Sequence, residues 1–311
     1  MIGPLEAFGL RPLGQALRQA AFAVRGDPLT PPTRFGPSSR RLLDPALSIP
    51  TWLGRGRADR RTVLYNLFNR TPTPLEEGWS VRVTQVRDYR GGKLTYDSHN
   101  GTDFVVPVGT RVVAAAPGRV LRVSSEFHRG GVKVFVDHGR GLVTSYNHLS
   151  RALVRPGAVL ARGETLALSG ASGVDGLTFF PWVPPHVHFN VWLDGEYTDP
   201  FAAPDEVSLW RGGELPLPDD GKGRDAELAE TDWDAGAVEA HAEASRDPEV
   251  ARLIRAAPTP GERAMTALFH AAYFPTRFRR PLPRLYVARH ERAPWLDLPF
   301  RREDYAGAVF R

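Results

Sequence analysis

The sequence predicts a mainly β fold: an antiparallel β-domain over residues 80–203, an irregular arm over 1–79 and a partly helical extension over 204–311. Three observations predict it. Between 80 and 203, short and often β-branched runs are separated by Gly or Pro turns. Before 80 the chain is rich in Pro and Arg and nearly free of periodicity. After 235 apolar residues recur at helical spacing. Gly 30 and Pro 28 in 311 residues mark a turn-rich chain, still below the composition of disordered ones.

In the arm, Leu13–Val24 reads as one helical piece, followed by turns at Pro31-Pro32 and Gly36-Pro37. Such a segment is expected to lie on a domain and not to form one. From Ser80 onward Val81, Val83 and Val86 suggest a strand. Further strands are expected at Arg111–Ala115, Arg119–Ser124, Val132–Asp137, Leu142–Asn147, Thr165–Leu168 and His186–Leu193. The turns between them are explicit: Pro117-Gly118, Gly130-Gly131, Gly139-Arg140-Gly141 and Pro156-Gly157. After Pro204 an acidic linker covers about Asp219 to Asp234. Helices are expected near Ala237–Ser245, Pro248–Ala257 and Pro260–Tyr273, the last with Met265, Leu268, Phe269 and Ala272 on one face. The end, Phe278–Arg311, shows no clear period.

Composition excludes several function classes. No apolar run approaches the ~18 residues of a membrane-spanning helix. With Cys 0, disulfide scaffolds and thiolate metal sites are ruled out, so any metal must sit on His, Asp or Glu. The net charge of +5 is almost all Arg and too diffuse to predict a nucleic-acid partner. Residues 201–250 carry about ten more acids than bases, and 251–311 about seven more bases than acids; two partly neutralising solvated faces account for this, with a basic patch for an acidic polymer as the alternative. Met1–Arg25 lacks the basic, apolar and small-residue pattern of a secretory signal.

The chemistry-bearing residues fall in the β-domain. Ser98-His99-Asn100-Gly101-Thr102-Asp103 puts His99 and Asp103 on one side of an extended segment, a half-site for a divalent metal, with Gly101 relieving crowding between them. In Pro185-His186-Val187-His188-Phe189-Asn190-Val191 the apolar residues alternate with His186, His188 and Asn190. That is a strand with both imidazoles on its polar face, about 7 Å apart. Tyr146-Asn147-His148-Leu149-Ser150 places a third imidazole near a strand end. Taken singly, each motif also fits a capping Asp, half-exposed histidines on a sheet or a structural strand-end histidine. Two His and one Asp together form a three-ligand set that leaves a tetrahedral zinc one open position, the catalytic arrangement. No H-E-x-x-H motif exists, so the base would have to be a histidine.

Over Asp88–Phe201 the sequence resembles the lysostaphin-type (LytM-like) zinc metallopeptidases, peptidoglycan endopeptidases. The motifs stand in the family's order: His99-x-Gly101-x-Asp103-Phe104, Val108-Gly109-Thr110-x-Val112-x-Ala114, Gly118-x-Val120, His138-Gly139, Tyr146-x-His148-Leu149-Ser150, Val159-x-x-x-Gly163, Ser169-Gly170, His186-x-His188-Phe189 and Asp199-Pro200. The resemblance implies one zinc per chain on His99, Asp103 and His188, and catalytic roles for His148 and His186 that sequence does not divide. It implies an antiparallel β-sheet metallopeptidase core, a peptide bond of a peptidoglycan stem or crosslink as substrate, and the cell envelope or periplasm as location. Tyr146 and His138 are expected to be structural, and His128, His241, His270 and His290 to be surface or packing residues.

The chain departs from the family in its lead-in at Arg87–Tyr96, at Val174-Asp175-Gly176, and in an insertion, Leu177–Pro185, that ends beside His186. Three aromatics and three prolines make that loop stiff. Phe180 and Trp182 are candidate substrate-binding residues on a groove wall; inward packing against the arm or tail is the equal alternative. Two rival functions remain. One is a non-catalytic regulator of cell-wall hydrolases on the same fold, some members of which lose zinc ligands. The other is a sugar-phosphotransferase carrier, whose partner motifs do not occur here.

Overall fold

The computed structural model describes residues 2–71, 73–222, 225, 228 and 231–311. The arm carries α1 (Pro4–Ala7), α2 (Leu13–Arg25), α3 (Pro45–Trp52) and β1 (Arg61–Leu64). There follow β2 (Thr102–Val105), β3 (Arg111–Val113), β4 (Gly118–Glu126), β5 (Gly131–Asp137), β6 (Leu142–Ala152), β7 (Val159–Leu160) and β8 (Thr165–Ser169). Then come α4 (Val174–Thr178), β9 (His186–Leu193) and β10 (Glu196–Tyr197). The extension holds α5 (Ala235–Ala244), α6 (Pro248–Ala256), α7 (Pro260–Tyr273) and β11 (Gly307–Phe310). Residues 223, 224, 226, 227, 229 and 230 of the acidic linker lie outside the described residues.

The strands form one sheet in the order β11-β1-β2-β9-β6-β5-β4-β7, with β10 on β9 and a β3–β8 pair joined through β6. Every pairing is antiparallel except β1 with β11. The fold is thus the mainly antiparallel one expected, and the three helices of the extension form where the 3.6-residue period puts them. Each opens on a side-chain cap: Asp234, Asp247 and Thr259 accept the backbone N–H of Ala237, Glu249 and Glu262. The sheet also continues into both flanks, since β1 pairs β2 and β11 pairs β1.

The strand expected at Val81–Val86 does not form. Side chains take the backbone donors that a ladder would use. Asp97 Oδ1 accepts from Thr84 N and Gln85 N at 2.8 and 2.9 Å, and Asn69 Oδ1 accepts from Arg87 N at 3.0 Å. Val81 and Val83 are buried all the same, against Leu42 of the arm.

Strand alternation sends Phe104, Val134, Val136, Tyr146, Val187, Phe189 and Val191 into the main core, where Trp210, Leu296, Leu298 and Phe300 cover them. The opposite face is covered at its two ends. Toward β4, Leu121, Phe135, Val143 and Trp192 pack under α5, α6 and α7. Toward β1, Val63, Tyr65 and Val105 pack with Leu47 of α3 and Val183. The polar strip between these two covers holds the site.

Candidate metal and catalytic site

Asp103 of β2 stands directly opposite His188 of β9, and Val105 opposite His186. Antiparallel register therefore brings the H-x-x-x-D motif onto the H-x-H strand. His188 Nδ1 lies 2.8 Å from Asp103 Oδ1, and His99 Nε2 lies 3.1 Å from both Asp103 Oδ1 and His188 Nδ1. All three residues are buried. Gly101 is required by the approach of β9: a Cβ there would meet Phe189 O at 2.6 Å and His188 Nε2 at 2.8 Å.

The outer hydrogen bonds decide which ring nitrogens carry protons. His99 Nδ1 is 2.6 Å from the Leu67 carbonyl, which can only accept, so Nδ1–H donates and Nε2 is bare in the neutral ring. His188 Nε2 lies 2.9 Å from the amide donor Asn190 Nδ2 and 3.2 Å from Asn100 Oδ1, and its Nδ1 faces Asp103. Asp103 Oδ2 accepts from Asn66 Nδ2 at 2.8 Å, which aims Oδ1 inward. Burial pushes the Asp103 carboxyl up, but the surrounding imidazoles of His99, His186 and His188 outweigh it and hold the group well below the usual range. Burial holds His188 below its ordinary value, in the neutral form. One possible ligand atom from each of these three residues lies within 4.8 Å of the others. Two imidazoles and a carboxylate gathered this closely fit a cation, and this N₂O set suits zinc.

His148 and His186 stand beside the cluster. Their rings are 4.9 Å apart, and the His148 ring is 5.9 Å from that of His188. His148 Nδ1–H donates to the Ser172 carbonyl at 2.8 Å, and His186 Nδ1–H to the Pro184 carbonyl at 2.9 Å. Each therefore presents a bare Nε2, that of His186 3.7 Å from Asp103 Oδ1. Burial pushes His148 well below its ordinary value. Its backbone has φ +59, in the left-handed region, where β6 takes one more residue than β5 between Tyr146 and Leu149. A bulge with strain at His148 re-aims its side chain, and nothing in the local sequence announces it.

The five residues singled out in sequence come together. Phe180 and Trp182 lie apart from them, with 47% and 48% of their surface exposed. Phe180 packs edge-on against Trp52 and Phe8 of the arm, at 4.9 and 5.5 Å. The small cavity that meets His148, His186 and Asp103, about 40 Å³, is walled instead by Phe179, Val183, Tyr65, Tyr96 and Trp52. Backbone bonds dock the insertion on α3: Trp52 Nε1 donates to Val183 O, Ser48 Oγ to Pro181 O and Asp44 N to Trp182 O. Sequence reasoning missed Asn66 and Leu67, which orient Asp103 and His99 from the end of the arm, because no motif precedes them. Tyr146 and His138 are structural: Tyr146 Oη accepts from Ala115 N, and His138 bonds the Pro117 carbonyl and the Thr144 hydroxyl.

Residues 97–200 match peptidase family M23. The lysostaphin-type resemblance carried by the motifs is borne out over this third of the chain. A Haemophilus influenzae protein described as an uncharacterized metalloprotease is 37% identical over 104 residues, 33% of this chain and 20% of that protein. The peptidoglycan DD-endopeptidase ShyA of Vibrio cholerae is 37% identical over 98 residues, 31% of this chain and 21% of ShyA. The murein hydrolase activator EnvC of Escherichia coli is 33% identical over 123 residues, 39% of this chain and 27% of EnvC. The chain spans about a fifth of the first two relatives. The M23 segment carries the whole His/Asp cluster, while its orienting groups Asn66 and Leu67 lie outside it.

Proposed function

We propose that this protein is a zinc-dependent endopeptidase that hydrolyses a peptide bond in a stem or crosslink of bacterial peptidoglycan. The observation that carries the reading is the convergence of His99, Asp103 and His188, each with a ligand atom within 4.8 Å of the others, with two bare Nε2 atoms, of His148 and His186, alongside. His99, Asp103 and His188 would hold the metal. When bound, zinc supplies Lewis acidity that polarises a scissile carbonyl and acidifies water. The protein's own part is proton handling. His148, neutral and fixed by Ser172, takes a proton at Nε2; His186, fixed by Pro184, holds a developing negative charge by donating from Nε2 once protonated, and the two can exchange these duties. The ShyA relationship supports the substrate class.

The EnvC relationship favours a second reading, a regulator of other hydrolases. The complete five-residue set argues against it, since a regulator needs no bare Nε2 beside a metal site. The test is digestion of purified sacculi by zinc-loaded protein, with products identified by mass. Conversion of crosslinked dimers to monomers is expected. Intact dimers alongside stoichiometric zinc would overturn the endopeptidase reading.

A further inference from the structure

A second cavity, about 220 Å³, opens on the other side of His99 and Asn100. At ~30 Å³ per water this is room for about seven waters, or a carboxylate on a short side chain. The arm, the M23 segment and the extension all line it, through Trp79, Arg129, Tyr273 and Phe274. Arg129 is only 6% exposed, and its guanidinium lies over the rings of Trp79 and Phe274 at 5.4 and 5.8 Å.

Arg129 is charged and nearly buried, yet among the described residues it forms no ion pair with a carboxylate. Its Nη1 donates to Thr33 Oγ1 at 3.2 Å and to the His128 carbonyl at 2.9 Å. Its Nε has no partner, and no hydrogen bond among the described residues uses Nη2. A buried cation nearby in the chain, Lys133 of β5, has Glu126 at 2.7 Å. Asp97, which also lines the cavity, is spent on Thr84, Gln85 and Ser80. Asp175 supplies negative charge to Arg129 through space, with no ion pair between them among the described residues. A buried guanidinium without a hydrogen-bonded carboxylate is costly, and one that lines a cavity beside the His/Asp cluster can be completed by an anion that arrives from outside.

We propose that Arg129 anchors a subsite that binds a carboxylate of the peptide substrate. Nε is itself buried, so Nη2 is the nitrogen left to donate to an incoming carboxylate, in a charge-assisted bond. Peptides offer that group at acidic residues and at free chain ends. The subsite is tied to the reacting centre: Gly130 O, next in the chain, accepts from His148 N at 2.8 Å, and His99 lines the same cavity. Arg129 is thus a specificity residue, and the claim rests on the endopeptidase reading for its substrate.

The test has two arms on the intact zinc-loaded chain. In the first, crosslinked muropeptide dimers are supplied as isolated and after carbodiimide amidation of their carboxylates. Amidation is expected to raise KM about tenfold for the wild type, and Arg129→Gln to raise it equally on the acid substrate, with kcat kept. On the amidated substrate the variant should match the wild type. Equal slowing on both substrates would overturn the subsite. In the second arm, melting is followed with N-acetylalanine or its amide. The acid should raise the melting temperature of the wild type and not of Arg129→Gln, with Arg129→Lys between them. An equal rise in all three, or none in the wild type, would overturn it. Should no muropeptide be cleaved, the endopeptidase reading fails and the second arm alone decides the subsite.

Discussion

Two buried polar clusters sit on the same face of this sheet and are completed in opposite ways. At Lys133 every charge has its counterpart within the chain. Glu126 lies 2.7 Å from Lys133 Nζ and 2.9 Å from Arg122 Nη2, and accepts from Ser124. Burial pushes the Glu126 carboxyl up, but Lys133 and Arg122 outweigh it and hold it at about 2. At His99, Asp103 and His188 the polar atoms of two imidazoles and a carboxylate stand 2.8 to 3.1 Å apart. The first cluster is closed by the protein's own charges. The second is the one for which a cation is proposed.

Substitutions at the two clusters should therefore fail differently. The largest effect is expected from Asp103→Ala: zinc below about half an equivalent by elemental analysis, since the remaining pair is too weak a site, and no hydrolysis of sacculi. Full zinc occupancy in that variant would remove Asp103 from the ligand set. Next, His148→Ala and His186→Ala should keep one zinc per chain while turnover falls about 10²–10⁴-fold. Loss of metal from either would mean that it belongs with the ligands.

Glu126→Ala should do the reverse. It strands the Lys133 ammonium in the sheet and should cost about 3–5 kcal/mol in denaturant melts, with zinc content unchanged. A melt like the wild type's would show that the closed cluster carries no stability.

A fourth expectation concerns acid. Burial pushes His138 down to about 4, against the bond to Pro117. Below the unfolded value of about 6.5 the unfolded chain binds the proton that the folded chain refuses, so stability is lost as pH falls from 6.5 to 4, by roughly 3 kcal/mol for this residue. His138→Gln should flatten the dependence of stability on pH over that window, and equal slopes would refute the assignment. The smallest effects belong to the insertion. Phe180→Ala should cost about 1 kcal/mol through its contacts with Trp52 and Phe8, and Trp182→Ala less. A loss of several kcal/mol at Trp182 would mean that it is packed in solution.

The five site residues and the antiparallel class were legible in the sequence for a physical reason. Ligand spacing along an extended chain and alternation along a strand are local properties, and His99, Asp103, His186 and His188 express both. The helices of the extension were legible in the same way, through a period and a cap. The Val81–Val86 segment misled because β-branched residues announce burial as readily as pairing, and here Asp97 and Asn69 took the backbone donors.

The sequence alone determined which residues would gather at the candidate site. Only the tertiary structure decided what holds and surrounds them. The carbonyls of Leu67, Ser172 and Pro184 fix three imidazoles, yet a carbonyl is the same in every residue and leaves no mark in a sequence. The arm and the extension, which carry no motif, supply Asn66, Trp52, Trp79 and Phe274 to the cluster and to the cavities on either side of it. Contacts between residues so far apart in the chain depend on how the flanks pack across the sheet, and no local pattern encodes that.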